Sequence, residues 1–147
     1  MLLHLISDIT GHSKDNPMKV AVDVHGVMDA SPEEFQPLLE QAISTGLYKI
    51  YVISGPPKLQ VKKELDALGY EEGKHYHHLF TIVDHLLEHN VKMWKGDKGT
   101  WWASDVDWWS AKAAICKEHD IDFLIDNTEL YNNYFKDIKT KFWLYSK

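Results

Sequence analysis

The chain has one cysteine, Cys116, so no disulfide can form within it. Cys116 lies in a helical pattern with only Lys112 and Lys117 as nearby cations, and it reads as a small core residue rather than a nucleophile. Positive charge is also scarce: 16 basic against 22 acidic side chains leave a net charge of −6 and a pI near 5.8. That balance excludes non-specific attachment to nucleic acid or to an anionic membrane, though a local basic pocket remains compatible with it. There is no long hydrophobic run. The opening Met1-Leu2-Leu3-His4-Leu5-Ile6 is cut short by Asp8 and is too brief for a signal-peptide core or a membrane span, so a cytoplasmic protein with no membrane partner is expected. Repeats and low-complexity stretches are absent too. What is present, 147 residues with 44% apolar and 26% charged, is the make-up of one soluble domain with a core of its own.

The first informative stretch is Val20-Ala21-Val22-Asp23-Val24-His25-Gly26. Apolar residues of both side-chain parities surround one carboxylate, the pattern of a parallel strand covered on both faces. A lone buried Asp needs a partner, whereas at the carboxyl tip of a strand it can meet solvent, a metal or a substrate. Gly26 lets the backbone turn there. The bland alternative is that Asp23 caps a turn.

Alternating elements follow. Ser31-Pro32-Glu33-Glu34 has the order of an N-cap, a first-turn proline and dipole-facing acids. Leu38, Leu39, Ala42 and Ile43 then repeat at helical spacing, with Pro37 predicting that the regular helix begins there. Tyr48 to Ile53 reads as a strand closed by Ser54-Gly55-Pro56-Pro57. Leu59, Val61, Leu65 and Leu68 mark a helix ending at Gly69, and Ile82, Val83, Leu86 and Leu87 another ending near Asn90. Residues 91–103 alternate around Gly96-Asp97-Lys98-Gly99 like a hairpin. Trp109, Ala113 and Cys116 predict a helix over 107–119. A strand from Ile121 to Ile125 stops at Asp126-Asn127, a helix follows over 128–135, and a last strand runs from Lys141 to Tyr145. Residues 1–17 fit no element and are read as an N-terminal extension.

Repeated β-α-β units imply a Rossmann-like three-layer α/β/α sandwich with a mainly parallel sheet, and one site along its carboxyl edge. Asp23, Ser54 and Asp126 close three strands, and Lys112 lies on the helix feeding the last. Nucleophilic carboxylate, hydroxyl, ammonium and second carboxylate form a set suited to phosphoryl transfer: attack, phosphate orientation, charge neutralisation and Mg²⁺ coordination.

Over roughly residues 18–135 this ordered set resembles the four motifs of the haloacid dehalogenase-like (HAD) superfamily. Asp23 matches the nucleophile of the first motif, Ser54 the second, Lys112 before Ala113-Ala114-Ile115-Cys116 the third, and Asp126-Asn127 the fourth. The resemblance implies an aspartyl-phosphate on Asp23 that water then hydrolyses. It implies phosphate binding by Ser54, Gly55 and Lys112, and Mg²⁺ held by Asp23, the His25 carbonyl, Asp126 and Asn127. The sequence departs from the family where its phosphatases carry a second Asp, two residues after the nucleophile. His25 stands there, and an imidazole can donate and accept protons near neutrality. The readings left open are a catalytically weakened phosphate-binding or protein-interaction domain, and a relative acting on a non-phosphate substrate. Asn127 replaces another frequent Asp and still offers a carbonyl oxygen. Glu129 is expected to complement a helix dipole or add outer-shell charge, without a catalytic role.

Two clusters remain. His75, His77, His78, His85 and His89 lie close together, and His85 and His89 share a helix face at a spacing that suits zinc. No cysteine pair accompanies them, and Asp84 and Glu88 alternate with them as on a solvated helix, which is how the stretch is read. Trp94, Trp101, Trp102, Trp108 and Trp109 serve core packing, a subunit contact such as a homo-oligomer, or a platform for a ring. The spacing between motifs leaves no room for a full cap domain. The 91–103 hairpin, with Lys92, Lys95 and Lys98, is the candidate lid over an open site for a phosphorylated substrate of unspecified size.

Overall fold

The computed structural model describes residues 11–147, so the opening apolar stretch lies outside the described residues. Five parallel strands form one sheet: β1 (Met18–Val22), β2 (Tyr48–Ser54), β3 (His78–Thr81), β6 (Phe123–Asp126) and β7 (Lys141–Leu144). Their order is β3-β2-β1-β6-β7, with β1 at the centre. Helices α1 (Pro32–Ser44), α2 (Lys58–Leu68), α3 (Ile82–Glu88) and α4 (Asp105–Glu118) connect them. A separate antiparallel hairpin, β4 (Met93–Lys95) with β5 (Trp101–Ala103), precedes α4. Among the described residues no helix is long and apolar enough to cross a membrane.

Strand parity decides which layer each side chain joins. Val22, Ile50 and Val52 pack with Phe35, Leu39 and Ala42 of α1 and with Val61 and Leu65 of α2. Their neighbours Ala21, Tyr51, Ile53 and Leu124 face the opposite layer, with Ile82 and Leu86 of α3 and Ala111, Ile115 and Cys116 of α4. The result is the expected three-layer α/β/α arrangement. Val61 and Leu65 are fully buried, and each such side chain contributes about 1.5–3 kcal/mol. Burial pushes the Cys116 thiol up to about 12, so no thiolate is available near neutrality.

Several elements differ from expectation. Helix α1 begins at Pro32 and runs through Pro37. Pro37 lies on the exposed face, so the carbonyl it leaves without an intrahelical donor is open to water. Leu38 and Leu59, which belong to the apolar patterns that mark these helices, are 54% and 80% exposed because Phe35, Leu39, Val61 and Leu65 already fill their helices' buried faces. Residues Glu129–Tyr134 form a 3₁₀ segment in place of an α-helix. Strand β3 was not expected: four residues at a sheet edge, preceded by histidines, carry no strong alternation. His77 extends its pairing, donating its N–H to the Ile50 carbonyl at 2.8 Å and accepting the Ile50 N–H on Nδ1 at 2.9 Å. His75 Nδ1 likewise accepts the Glu71 N–H at 2.9 Å, so two of the clustered histidines serve the backbone.

Candidate active site

From the centre of the sheet the chain passes to β2 on one side and to β6 on the other, and the crevice between β1 and β6 is therefore the topological switch point where open α/β sheets bind ligands. Val22 pairs with Ile125, which places Asp23 and Asp126 side by side at the two strand tips. The Asp23 N–H donates to the Ile125 carbonyl at 3.0 Å and secures that placement.

Lys112 enters the crevice from α4. Ser104 caps this helix, its Oγ accepting the Asp107 N–H at 3.2 Å and donating to Asp107 Oδ2 at 2.8 Å. Two turns further on, Lys112 Nζ lies 3.0 Å from Asp23 Oδ1 and 2.5 Å from Asp126 Oδ2. All three side chains are buried, and Nζ also stands 4.3 Å from the centre of the Tyr131 ring. Burial opposes the Lys112 charge, but the two carboxylates outweigh it and hold the ammonium above the ordinary lysine range. Burial, with the neighbouring Asp126, raises Asp23 against the opposing pull of Lys112. The chain contains no arginine, and Lys112 is a buried cation held between the two carboxylates of the crevice.

The loop after Asp23 turns through Gly26, whose φ is +87°. A Cβ there would lie 2.0 Å from the Asn127 amide, so only glycine admits this approach. The tip of the Asn127 side chain lies 3.0 Å from the His25 carbonyl oxygen and 3.2 Å from Asp23 Oδ2. With its nitrogen there, the amide donates to both. Turned over, it brings three oxygens together at spacings close to the roughly 3 Å between adjacent ligands of an octahedral magnesium ion. Asp126 has other partners, since Oδ1 accepts the Thr128 N–H and Oδ2 takes Lys112. Gly26→Ala is expected to lower stability by at least the roughly 1–2 kcal/mol of a left-handed alanine and to expel Asn127 from Asp23. An unchanged urea midpoint for that variant would show that the loop tolerates the side chain.

Ser54 ends β2, one strand from Asp23. Its Oγ is fully buried and has no hydrogen-bond partner among the described residues, which marks it as a hydroxyl in want of a ligand. Gly55 follows, and a Cβ on it would come within 3.1 Å of Trp108. Beyond it opens a cavity of about 670 Å³ walled by Pro56, Pro57, Trp101, Trp102, Trp108 and Trp109, with Lys95 and Lys98 of the hairpin on its rim. Four of the chain's six tryptophans thus gather at one cavity next to the strand tips.

The His25 imidazole is half exposed, and its Nε2 lies 2.7 Å from Glu64 Oε2. Glu64 Oε1 in turn accepts from Gln60 Nε2 at 3.0 Å, and Gln60 also lines the cavity. Glu64, Gln60 and Tyr131 escaped the sequence reading. The i,i+4 spacing of Gln60 and Glu64 was a visible signal, while the contact of Glu64 with His25 bridges 39 residues and had none. The fold therefore brings Asp23, the His25 backbone, Lys112, Asp126 and Asn127 together, with Ser54 and Gly55 one strand away. No protein-family model matches the chain, and no curated protein matches it.

Proposed function

We propose that the protein hydrolyses phosphate monoesters with the help of Mg²⁺, as a small capless HAD-like phosphatase. The observation that carries this reading is the buried Asp23–Lys112–Asp126 triad at the switch point of the sheet. A buried ion triad is costly to desolvate, and hydrophobic residues would serve the fold as well, so a chemical role is the better explanation for it.

In this reading an Asp23 oxygen attacks phosphorus, the bond to the leaving oxygen breaks, and the His25 imidazolium gives that oxygen its proton. The neutral imidazole then takes a proton from water as the water oxygen attacks the aspartyl-phosphate, and phosphate and Asp23 carboxylate are released. Glu64, 2.7 Å from His25 Nε2, orients the imidazole ring. Ser54 Oγ and Lys112 Nζ hold the phosphoryl oxygens. Asp23 Oδ2, the His25 carbonyl and Asn127 Oδ1, with Asp126 behind them, fit a hard divalent cation, and Mg²⁺ there would neutralise charge on the phosphoryl group. The tryptophan-walled cavity suits a flat leaving group, and Lys95 and Lys98 favour an anionic one.

The test is phosphate release from p-nitrophenyl phosphate, nucleoside monophosphates and sugar phosphates, with Mg²⁺ and with EDTA. Release that requires Mg²⁺, fastest for aromatic esters, is expected. A folded protein that releases phosphate from no ester under either condition would overturn the reading. Phosphate or Mg²⁺ binding without turnover would then favour a phosphate-binding domain, in line with a His25 held by Glu64.

A further inference from the structure

The second pair of helices carries a cluster that the proposed phosphatase chemistry does not use. His85 and His89 lie four residues apart on and just beyond α3, and Glu118 closes α4 opposite them. Each offers one ligand atom, and the three atoms lie within 4.8 Å of one another. The imidazole rings face each other with centroids 4.1 Å apart. His89 Nδ1 lies 2.8 Å from the His85 carbonyl oxygen. A carbonyl only accepts, so Nδ1 carries the hydrogen, and the neutral ring presents its lone pair at Nε2. This is the backbone contact that commonly fixes the tautomer and orientation of a metal-binding histidine. His85, Glu88 and Glu118 also line a pocket of about 190 Å³, with His119 stacked on Phe80 at 4.1 Å beside them.

We infer that His85, His89 and Glu118 form a binding site for a zinc-like divalent transition metal, joining α3 to α4. Two imidazoles and one carboxylate make a mixed nitrogen and oxygen set, which selects zinc and its neighbours over Mg²⁺, whose preferred ligands are all oxygens. Neighbouring ligands around tetrahedral zinc are about 3.3 Å apart, so the side chains must close by roughly an ångström or more. His89 and Glu118 are exposed and free to do so, while the half-buried His85 anchors the site. Three protein ligands leave a fourth position for water. Glu118 is six residues from Lys112 on the same helix, about 9 Å along its axis, so the metal would tie down the helix that carries Lys112 without touching the triad.

Calorimetric titration with Zn²⁺ in a Mg²⁺-containing buffer tests the site, together with the visible spectrum of bound Co²⁺. One equivalent should bind, excess Mg²⁺ should not compete, and the Co²⁺ spectrum should report low coordination. Glu118→Gln and His89→Ala alter exposed side chains and should each weaken binding by at least about tenfold, while the zinc-induced rise in Tm disappears. Absence of saturable binding would overturn the inference. So would unchanged affinity in both variants, since the metal would then sit on other histidines. Neither substitution alters Asp23, Lys112 or Asp126, so the outcome is independent of whether the protein releases phosphate.

Discussion

Lys112→Met should destabilise the protein by about 3–5 kcal/mol, a large share of the roughly 5–15 kcal/mol that holds a typical domain together. The methionine fills much of the same space, so the loss is electrostatic: Asp23 and Asp126 are left buried together without a counter-ion. The pH profile should change with it. Burial and Asp126 already raise Asp23, and Lys112 opposes that rise. Without the lysine, the folded protein holds a proton on the pair more tightly than the unfolded chain does. Stability is then fully present below the ordinary aspartate value of 3.8 and is lost as pH rises through the raised folded value. Urea midpoints at pH 7 and pH 5 measure this, and the variant should be more stable at the lower pH relative to the native protein. Equal losses at both values, or a loss under about 1 kcal/mol, would mean that Lys112 does not clamp the carboxylates. If the variant is unfolded at pH 7, adding Asp23→Asn removes one stranded charge and should restore part of the stability.

Asp23→Asn alone should abolish phosphate release while leaving the fold as stable as before, or more so. An amide is too weak a nucleophile to take the phosphoryl group. The stability expectation follows from the same raised pKa: at neutral pH the ionised Asp23 is less favourable in the folded state than in water, and asparagine avoids that cost. Lys112 retains Asp126 as its partner. Turnover within about tenfold of the native rate would remove Asp23 from the role of nucleophile. A marked drop in Tm would instead make the carboxylate a structural group, the opposite of the usual compromise between activity and stability at a catalytic position.

The strand ends were legible because long apolar runs stopped abruptly at Asp23, Ser54 and Asp126, and the hairpin because Gly96 to Gly99 interrupts two short alternating stretches. Periodicity reports the buried face of an element, and so it placed Val61, Leu65, Ala113 and Cys116 correctly. It failed where a neighbour rather than a period decides: Leu59 and Leu38 have the right spacing and nothing packed over them. β3 was illegible since part of its pairing runs through the His77 imidazole. Within the candidate site, Asp23, Lys112 and Asp126 could be grouped from their places at the sheet edge. The Glu64–His25 pair could not, since a loop residue and a helix residue meet through tertiary packing alone. The histidine cluster read as a solvated helix because its third member, Glu118, is contributed by another helix.

The central strand also determines when the triad can exist during folding. Lys112 and Asp126 are 14 residues apart, but 89 separate Asp23 from Lys112, and the two groups meet only when β6 docks beside β1. Closing so long a segment is entropically expensive before any contact repays it, so pairing of β1 with β2 through the nearer α1 connection is the easier early event. The buried charges would then be desolvated after most of the hydrophobic layer facing α1 and α2 has formed, when the ammonium and both carboxylates arrive together. In kinetic terms the triad is a latch on the finished molecule, so its loss in Lys112→Met should appear chiefly as faster unfolding, with refolding little changed.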